Sequence, residues 1–402
     1  MTATEFRFLQ PLDVLSFRGN KSYGEPGCYG ETAVLPWPSV IAGALRTKIL
    51  ARDGHDLEAF ACGAQAHPAL GTPQAPGTFR VAAVQLARRF PDGRLEVLVA
   101  PPADLVIAQS ESAGKNPALK VRFLRPVDLP WHGLGGLSSC PLPLFAVLAE
   151  PERTKPKAGY WLSESGWRKY LAGQTPGASD LVESSRLWET EPRVGVGLDP
   201  ATRSAREGQL FTAEVIRLRK RPDKSPDNER FDVGFLVTIQ GADVPGNGPL
   251  RVGGDGHAML LFAAEGYRPP EPNYEAIRAS GRCRMVLASP GVFPGGWLPA
   301  GVERVDGERF EFSLHGVRAR LAAAAVPRAQ VVSGWDLAAR KPKPSVRVAP
   351  AGSVYWLDEL EATPEALRRL VDEGLWSEQE LDPQRRAEGF NRVWLAEWAQ
   401  EL

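Results

Sequence analysis

The sequence predicts an α+β chain built from two split β-α-β halves, and three observations lead there. The apolar residues switch repeatedly between a period of two and helical spacing, giving strand, helix, strand, strand, helix, strand across the first half. The 40 glycines and 36 prolines approach a fifth of the chain, which demands many turns between short elements. At 402 residues the chain is long enough for two domains, each burying its own core.

Thr4 to Gln10 alternates apolar and polar residues and reads as a first strand. The loop from Pro11 to Gly30 follows, carrying Arg18, Lys21, Tyr23 and Tyr29. Pro38-Ser39 then opens a helix whose stripe is Val40, Leu45, Ile49 and Leu50 and which stops at Asp53-Gly54. Arg46 and Lys48 lie off that stripe, on a face open either to solvent or to a ligand. Residues 55–77 read as loop. Phe79 to Arg88 and Leu95 to Ala100 flank Pro91-Asp92-Gly93 as a hairpin. The stretch from Pro101 to Pro143, with Lys115, Lys120, Arg122 and Arg125, is too long for a passive connection and reads as an insertion or a partner-facing arm. Trp161 to Leu171 has helical spacing, and Pro192 to Leu198 returns to strand character.

That order matches a ferredoxin-like, RNA-recognition-type fold with insertions. In the second half Gln209 to Arg219, Phe231 to Gln240 and Cys283 to Ala288 read as strands. Val354 to Leu357, a helix from Pro364 to Val371 and a last strand from Val393 to Trp398 then close a second such fold. Thr363 caps that helix, with Pro364 in its first position.

Composition narrows the function. Formal net charge is zero, so an anion site must come from local clustering of cations rather than from the whole molecule. Arginine outnumbers lysine, and its planar fork suits phosphates and base stacking, although base composition of a genome gives the same bias. Cys28, Cys62, Cys140 and Cys283 form no C-x-x-C pair, and the five histidines lack zinc spacing, which argues against a metal centre or a disulfide framework. No cofactor motif is present. With no basic-then-apolar leader and no run of 18 apolar residues, the expectation is a cytoplasmic protein without membrane contact.

The central stretch is Leu250-Arg251-Val252-Gly253-Gly254-Asp255-Gly256-His257, set between strand-like runs. Few β-carbons there let another backbone approach, and consecutive amides can face an anion; a plain hairpin turn fits the same residues. It lacks the Gly-Lys-Ser/Thr of a Walker loop and the spacing of a dinucleotide fingerprint.

Four further stretches resemble a known family, the third subunit of the Cmr complex, a type III-B CRISPR effector of the RAMP superfamily. They are Pro11-Leu12-Asp13 with Phe17-Arg18, Pro36-Trp37-Pro38-Ser39 leading into Gly43-Ala44-Leu45-Arg46, Pro192 to Asp199 followed by Glu207 to Phe211, and Lys341 to Pro344 followed by Pro350 to Trp356. The Gly253-Gly254 loop and the Gly389-Phe390-Asn391 turn are similar to RAMP glycine turns. The pieces occur in the family's order from residue 11 to the C-terminus. Where the family's first loop more often has Arg-Pro-Phe, this chain has Lys21-Ser22-Tyr23.

The resemblance implies ferredoxin-like domains, here residues 1–200 with insertions and 201–402 with glycine-rich loops. It implies an RNA-binding subunit in antiviral defence that has no nuclease activity and holds the 5′ tag of the guide RNA. Its protein partners would be the large subunit with a polymerase-palm domain and a neighbouring RAMP backbone subunit. On this reading the RNA contacts are Arg18, Lys21, Arg46, Arg193, Arg219, Arg251, Gly253, Gly254, His257, Lys341, Lys343, Arg347 and Asn391. The stretches Arg217 to Arg221 and Arg340 to Lys343 are the densest in cations, and a solvated face explains them as well as RNA does. Two rivals stand beside it. One is a RAMP endoribonuclease with His257 as general acid or base. The other is a scaffold without RNA contact, which the neutral charge and 11 tryptophans also suit.

Overall fold

The computed structural model describes residues 4–17, 29–30, 34–109, 119–128, 140–149, 155–219, 230–253, 256–305, 309–336, 341–377 and 382–398. Its principal elements, in chain order, begin with β1 (Thr4–Pro11), α1 (Pro38–Arg52), β2 (Arg80–Arg89), β3 (Leu95–Leu98), β4 (Leu105–Gln109), β5 (Leu119–Phe123) and α2 (Glu164–Leu171). They continue with β6 (Trp188–Leu198), β7 (Ala205–Leu218), β8 (Asp232–Gln240), β9 (Gly248–Val252), β10 (His257–Ala263), α3 (Tyr274–Ser280) and β11 (Cys283–Leu287). The last are β12 (Val302–Val305), β13 (Arg309–Leu314), β14 (Val317–Ala325), β15 (Val354–Glu361), α4 (Pro364–Glu373), α5 (Pro383–Glu388) and β16 (Val393–Ala396). Strands dominate and the larger sheets are antiparallel, so the fold is α+β.

The chain packs into two compact units, each assembled from three stretches. One takes Met1–Val97, Ser184–Tyr267 and Val331–Ser345; the other takes Leu98–Glu183, Arg268–Gln330 and Val346–Leu402. A single cut at residue 200, the expectation from sequence, is replaced here by repeated crossings.

The first unit holds a six-stranded sheet in the order β9-β10-β1-β8-β2-β3. Within it β1, β2, β8 and β10 stand in the spatial order fourth, first, third, second, with antiparallel neighbours. Helix α1 connects the first two, and strand β9 lies between β8 and β10 in sequence. Alternation along β1 explains the two faces. Leu9 points to the side where Phe235, Val237, Met259 and Leu261 are buried, while Phe8 points to a smaller cluster with Ala87, Val97, Leu236 and Ala264. Pro38 begins α1 at a position needing no amide donor, and Ile41, Leu45 and Ile49 are fully buried along one side. The helix packs against β2 and β9.

The second unit repeats the arrangement with different connections. Its sheet runs β12-β13-β14-β15-β11-β16, so β11, β14, β15 and β16 again stand fourth, first, third, second. The hairpin β12–β13 occupies the first crossover, and α4 and α5 the second. Arg309–Leu314 alternates strictly, with Phe310 and Phe312 turned inward, which makes it strand rather than helix. Thr363 Oγ1 accepts the Ala366 amide at 3.2 Å, with Pro364 beginning α4, as the sequence requires. Tyr274, Met285, Leu321, Tyr355, Leu357, Leu367 and Leu395 centre one core; Trp167, Tyr170, Trp356 and Val286 centre the other. Each large apolar side chain so buried contributes about 1.5–3 kcal/mol.

Several elements depart from the sequence reading. The first unit completes its four-strand set with β8 and β10, beyond residue 200, whereas α2 and β6, expected in that role, lie elsewhere. Local patterning marks a strand but not its neighbour, and the long segment between β2 and β8 hides the pairing. Residues 55–77 include a short helix, Leu57–Ala61, capped by Asp56. Trp161 to Leu171 is split: Tyr160–Leu162 is a strand, and Ser163 accepts the Gly166 amide to start α2.

Candidate nucleic-acid interface

The glycine stretch is the connection of the β9–β10 hairpin. Leu250 faces Met259, Arg251 faces Ala258 and Val252 faces His257. Gly253 and Gly256 adopt φ of 78° and 65°, a region that costs a side chain strain, and the Gly256 amide donates to the Gly253 carbonyl at 3.1 Å. A β-carbon on Gly253 would find its nearest neighbour, Phe17 Cε1, at 3.9 Å, so conformation rather than crowding selects glycine within this chain. Gly254 lies outside the described residues.

The segment leaving β1 is stitched across this hairpin. The Leu12 amide donates to the Ala258 carbonyl at 3.0 Å, and the Ser16 amide donates to His257 Nε2 at 3.1 Å. Leu15 and Ile216 exchange backbone hydrogen bonds of 2.7 and 2.8 Å, and Phe17 packs edge-on against Phe235. Residues 12–17 therefore join the glycine hairpin to β7. Arg18 and Lys21 follow directly and lie outside the described residues. His257 is half-buried, and its Nε2 lone pair is engaged by Ser16, which leaves Nδ1 to carry the proton. That geometry makes His257 an anchor.

The long hairpin β6–β7 pairs Trp188 with Leu218 through to Leu198 with Ala205, with a bulge near its tip. Its base is charged and its distal half apolar. Arg193 and Arg217 both reach Glu191, at 3.2 and 2.6 Å, and Arg219 reaches Glu189 at 3.0 Å. All three arginines are exposed, so these pairs contribute little to stability. They do lower the local positive potential. Towards the tip Val194, Val196, Leu198, Leu210 and Phe211 are exposed, and Phe211 lies across Gly195, where a β-carbon would overlap its ring. At the tip, amides of Thr202 and Ala201 bind the Asp199 carboxylate and hold its pKa below the usual range.

The remaining residues divide between the units. Arg46 on α1 is half-buried, its guanidinium 5.6 Å from the Phe79 ring. Lys341 and Lys343 belong to the first unit, beside the short pairing of Trp335 with Pro342 and of Asp336 with Lys341. Arg347 is exposed in the second unit. The first unit thus carries Arg46, Arg193, Arg219, Arg251, Gly253, His257, Lys341 and Lys343. Asn391 is a correction. It is 1 % exposed, with φ of 59°; its Oδ1 accepts the Val292 amide at 2.6 Å, and its Nδ2 donates to the Leu375 and Val292 carbonyls. Every polar group of that side chain is spent inside the second unit, where it builds a left-handed turn.

The sequence reading missed Glu189 and Glu191, which only strand register sets against Arg217 and Arg219. It also missed Trp335, 59 % exposed beside Lys341 and Lys343. A tryptophan between Gly334 and Asp336 in a lysine-rich stretch was the available signal.

Among the described residues no group of three His, Cys, Asp or Glu side chains could hold a metal ion. No described helix is long and apolar enough to cross a membrane.

A family model for a CRISPR-associated protein, Cas_Cmr3, matches residues 7–398. Among solved structures, the chain is similar to one from the cryo-EM structure of the type III-B Cmr-beta bound to cognate target RNA and AMPPnP, state 1. That match has 12% identity, a TM-score of 0.47 and coverage of 98% of this chain and 100% of the other. A chain of the type III-B Cmr-beta bound to cognate target RNA gives 12% identity, a TM-score of 0.45, and coverage of 97% and 96%. No curated protein matches.

Proposed function

This chain belongs to the Cas_Cmr3 family of CRISPR-associated proteins, and from that premise we propose that it is the non-catalytic subunit of a type III-B effector that holds the 5′ tag of the guide RNA. The observation that carries the reading is the β9–β10 glycine hairpin with residues 12–17 stitched across it. That arrangement sets Arg251 and Gly253 on one unit of the chain with residues 12–17, which Arg18 and Lys21 follow in sequence. Backbone amides and arginines on a glycine-rich turn suit a single strand whose phosphates run along the backbone. Exposed Trp335 near two lysines adds a stacking surface for an unpaired base. The fourth-first-third-second strand order in both sheets supports reading each unit as ferredoxin-like.

Pairing with the large polymerase-palm subunit and a neighbouring backbone subunit belongs to the same proposal. The exposed apolar half of the β6–β7 hairpin supports burial in such an assembly, since a contiguous apolar surface marks an interaction site. The engagement of His257 Nε2 by Ser16 weighs against the endoribonuclease rival, because a general base needs that lone pair. The scaffold reading draws on Glu189 and Glu191, which offset part of the charge of Arg193, Arg217 and Arg219.

The test is reconstitution with the large subunit and a tagged guide, followed by ultraviolet crosslinking and mass spectrometry. Crosslinks from the tag to residues 12–21 or 251–257 are expected. A guide that crosslinks only to other subunits leaves the scaffold.

A further inference from the structure

The sheet of the first unit has a second face that carries no helix among the described residues and that Arg251 shares at its far end. Beneath β1, β2 and β10, on the side of Phe8, lies an open cavity of about 700 Å³. Its floor is Phe8, whose ring lies over Gly234, where a β-carbon would stand 2.6 Å from ring carbon Cζ. Its walls include Arg89, Arg94, Asn247, Phe262 and Tyr267. Phe8 and Phe262 are direct cross-strand partners, which places both rings on this face, and Phe6 meets Tyr267 edge-on at 5.4 Å. Phe6, Phe262 and Tyr267 are only partly buried, and no helix contributes to their apolar cluster.

One guanidinium group borders these rings. Arg89 sits 4.3 Å from the centre of Phe262, and among the described residues it forms no ion pair. The guanidinium of Arg94 lies 3.8 Å from the centre of Phe90, a ring on the other side of the sheet, and 4.0 Å from Asp92. Asn247 Oδ1 accepts the Ala263 amide at 3.4 Å, which leaves its Nδ2 donors for another acceptor. Half-exposed rings beside a guanidinium plane suit a flat, aromatic ligand; Asp92 and Glu265 on the same lining, and Asp232 opposite Arg89, balance the positive charge. The base of an unpaired nucleotide is such a group, since bases stack on arene and guanidinium planes.

We propose that this face is a separate subsite for one unpaired RNA nucleotide, with the base against the Arg89–Phe262 pair and a base carbonyl at Asn247. It stands apart from the glycine hairpin. His257 lies on the alternate side from Phe262, while Arg251, opposite Ala258, shares its side about 13 Å away along β10. The proposal rests on the RNA-binding reading only in taking the ligand to be RNA.

The test uses the full chain and a fluorescent oligouridine octamer, with anisotropy for affinity and ultraviolet crosslinking for location. A crosslink at Phe262 or Tyr267 is expected. Arg89→Lys, which keeps the charge but loses the plane, and Phe262→Leu, which keeps the packing but loses the ring, should each weaken binding by about tenfold. Both should melt like the parent. Replacing Lys341, Lys343 and Arg347 by Ala should leave the Phe262 crosslink in place. If the parent binds the guide in the assembly, yet the octamer never crosslinks to this face and Arg89→Lys binds it as the parent does, the subsite is wrong and the guide reading stands. If the parent binds neither octamer nor guide, both fall.

Discussion

Arg284 and Asp104, 180 residues apart in sequence, form an ion pair of 2.7 Å in which neither side chain is exposed. The other donors of Arg284 go to the carbonyls of Glu397 and Tyr170, at 2.9 and 2.8 Å. Tyr170 donates its hydroxyl to the second Asp104 oxygen at 2.8 Å, and the rings of Phe123 and Tyr170 flank the guanidinium. One buried cluster thus ties β11, α2, the β4–β5 insertion and the end of β16 together in the second unit.

Breaking that pair from one side leaves a buried charge. Asp104→Ala should destabilise the protein by about 3–5 kcal/mol, and the double change Asp104→Leu with Arg284→Met should cost less than the single one. Urea denaturation followed by far-ultraviolet circular dichroism makes the comparison. A double variant as damaged as Asp104→Ala would mean that packing, not the stranded charge, sets the cost.

His315 gives the second unit a dependence on pH. Burial holds its pKa below the ordinary 6.5, while its Nε2 proton is donated to the Gly374 carbonyl at 3.0 Å. The folded state therefore binds this proton less readily than the unfolded chain. The stability it contributes is present above about pH 6.5 and is lost as the pH falls through the lower folded value. His315 also has φ of 53°, which asparagine tolerates. His315→Asn should keep the turn and flatten the decline of the urea midpoint between about pH 6.5 and 5. An unchanged decline would assign it to other groups.

Gly253 tests the hairpin. Gly253→Ala forces a side chain into a left-handed conformation at about 1 kcal/mol, with room for the methyl group beside Phe17. Guide affinity in the reconstituted assembly should fall by more than that strain accounts for, since a displaced strand loses several charge-assisted hydrogen bonds. A variant that melts earlier yet binds the guide like the parent would reduce the hairpin to a turn.

Electrostatics should appear as salt dependence. Changing Lys341, Lys343 and Arg347 together to Ala should lower the slope of log affinity against log salt by about one or more. Equal slopes would identify these residues as solvated cations.

The chain by itself should leave a repeat-containing transcript uncut, with or without divalent metal, because His257 spends its Nε2 lone pair on Ser16. Specific cleavage that His257→Ala abolishes would revive the nuclease.

Periodicity and capping act over a few residues, so β1, α1, the β2–β3 hairpin, β8, β10 and the Thr363-capped α4 were all legible in sequence, as was the run of motifs by which the family is identified. The α+β class follows from the same local signals. Partnership between distant segments has no local signal. The sheet of the first unit takes two of its central strands from beyond residue 200 because antiparallel pairing is decided by which apolar faces meet in space. The same holds for the site. Local residues marked Arg251, Gly253 and His257, yet register alone set Glu191 against Arg217, and folding alone buried Asn391. Arg89 and Phe262 are 173 residues apart and became one stacked pair only when β2 and β10 joined a common sheet, whose pleat turns both side chains to the same face.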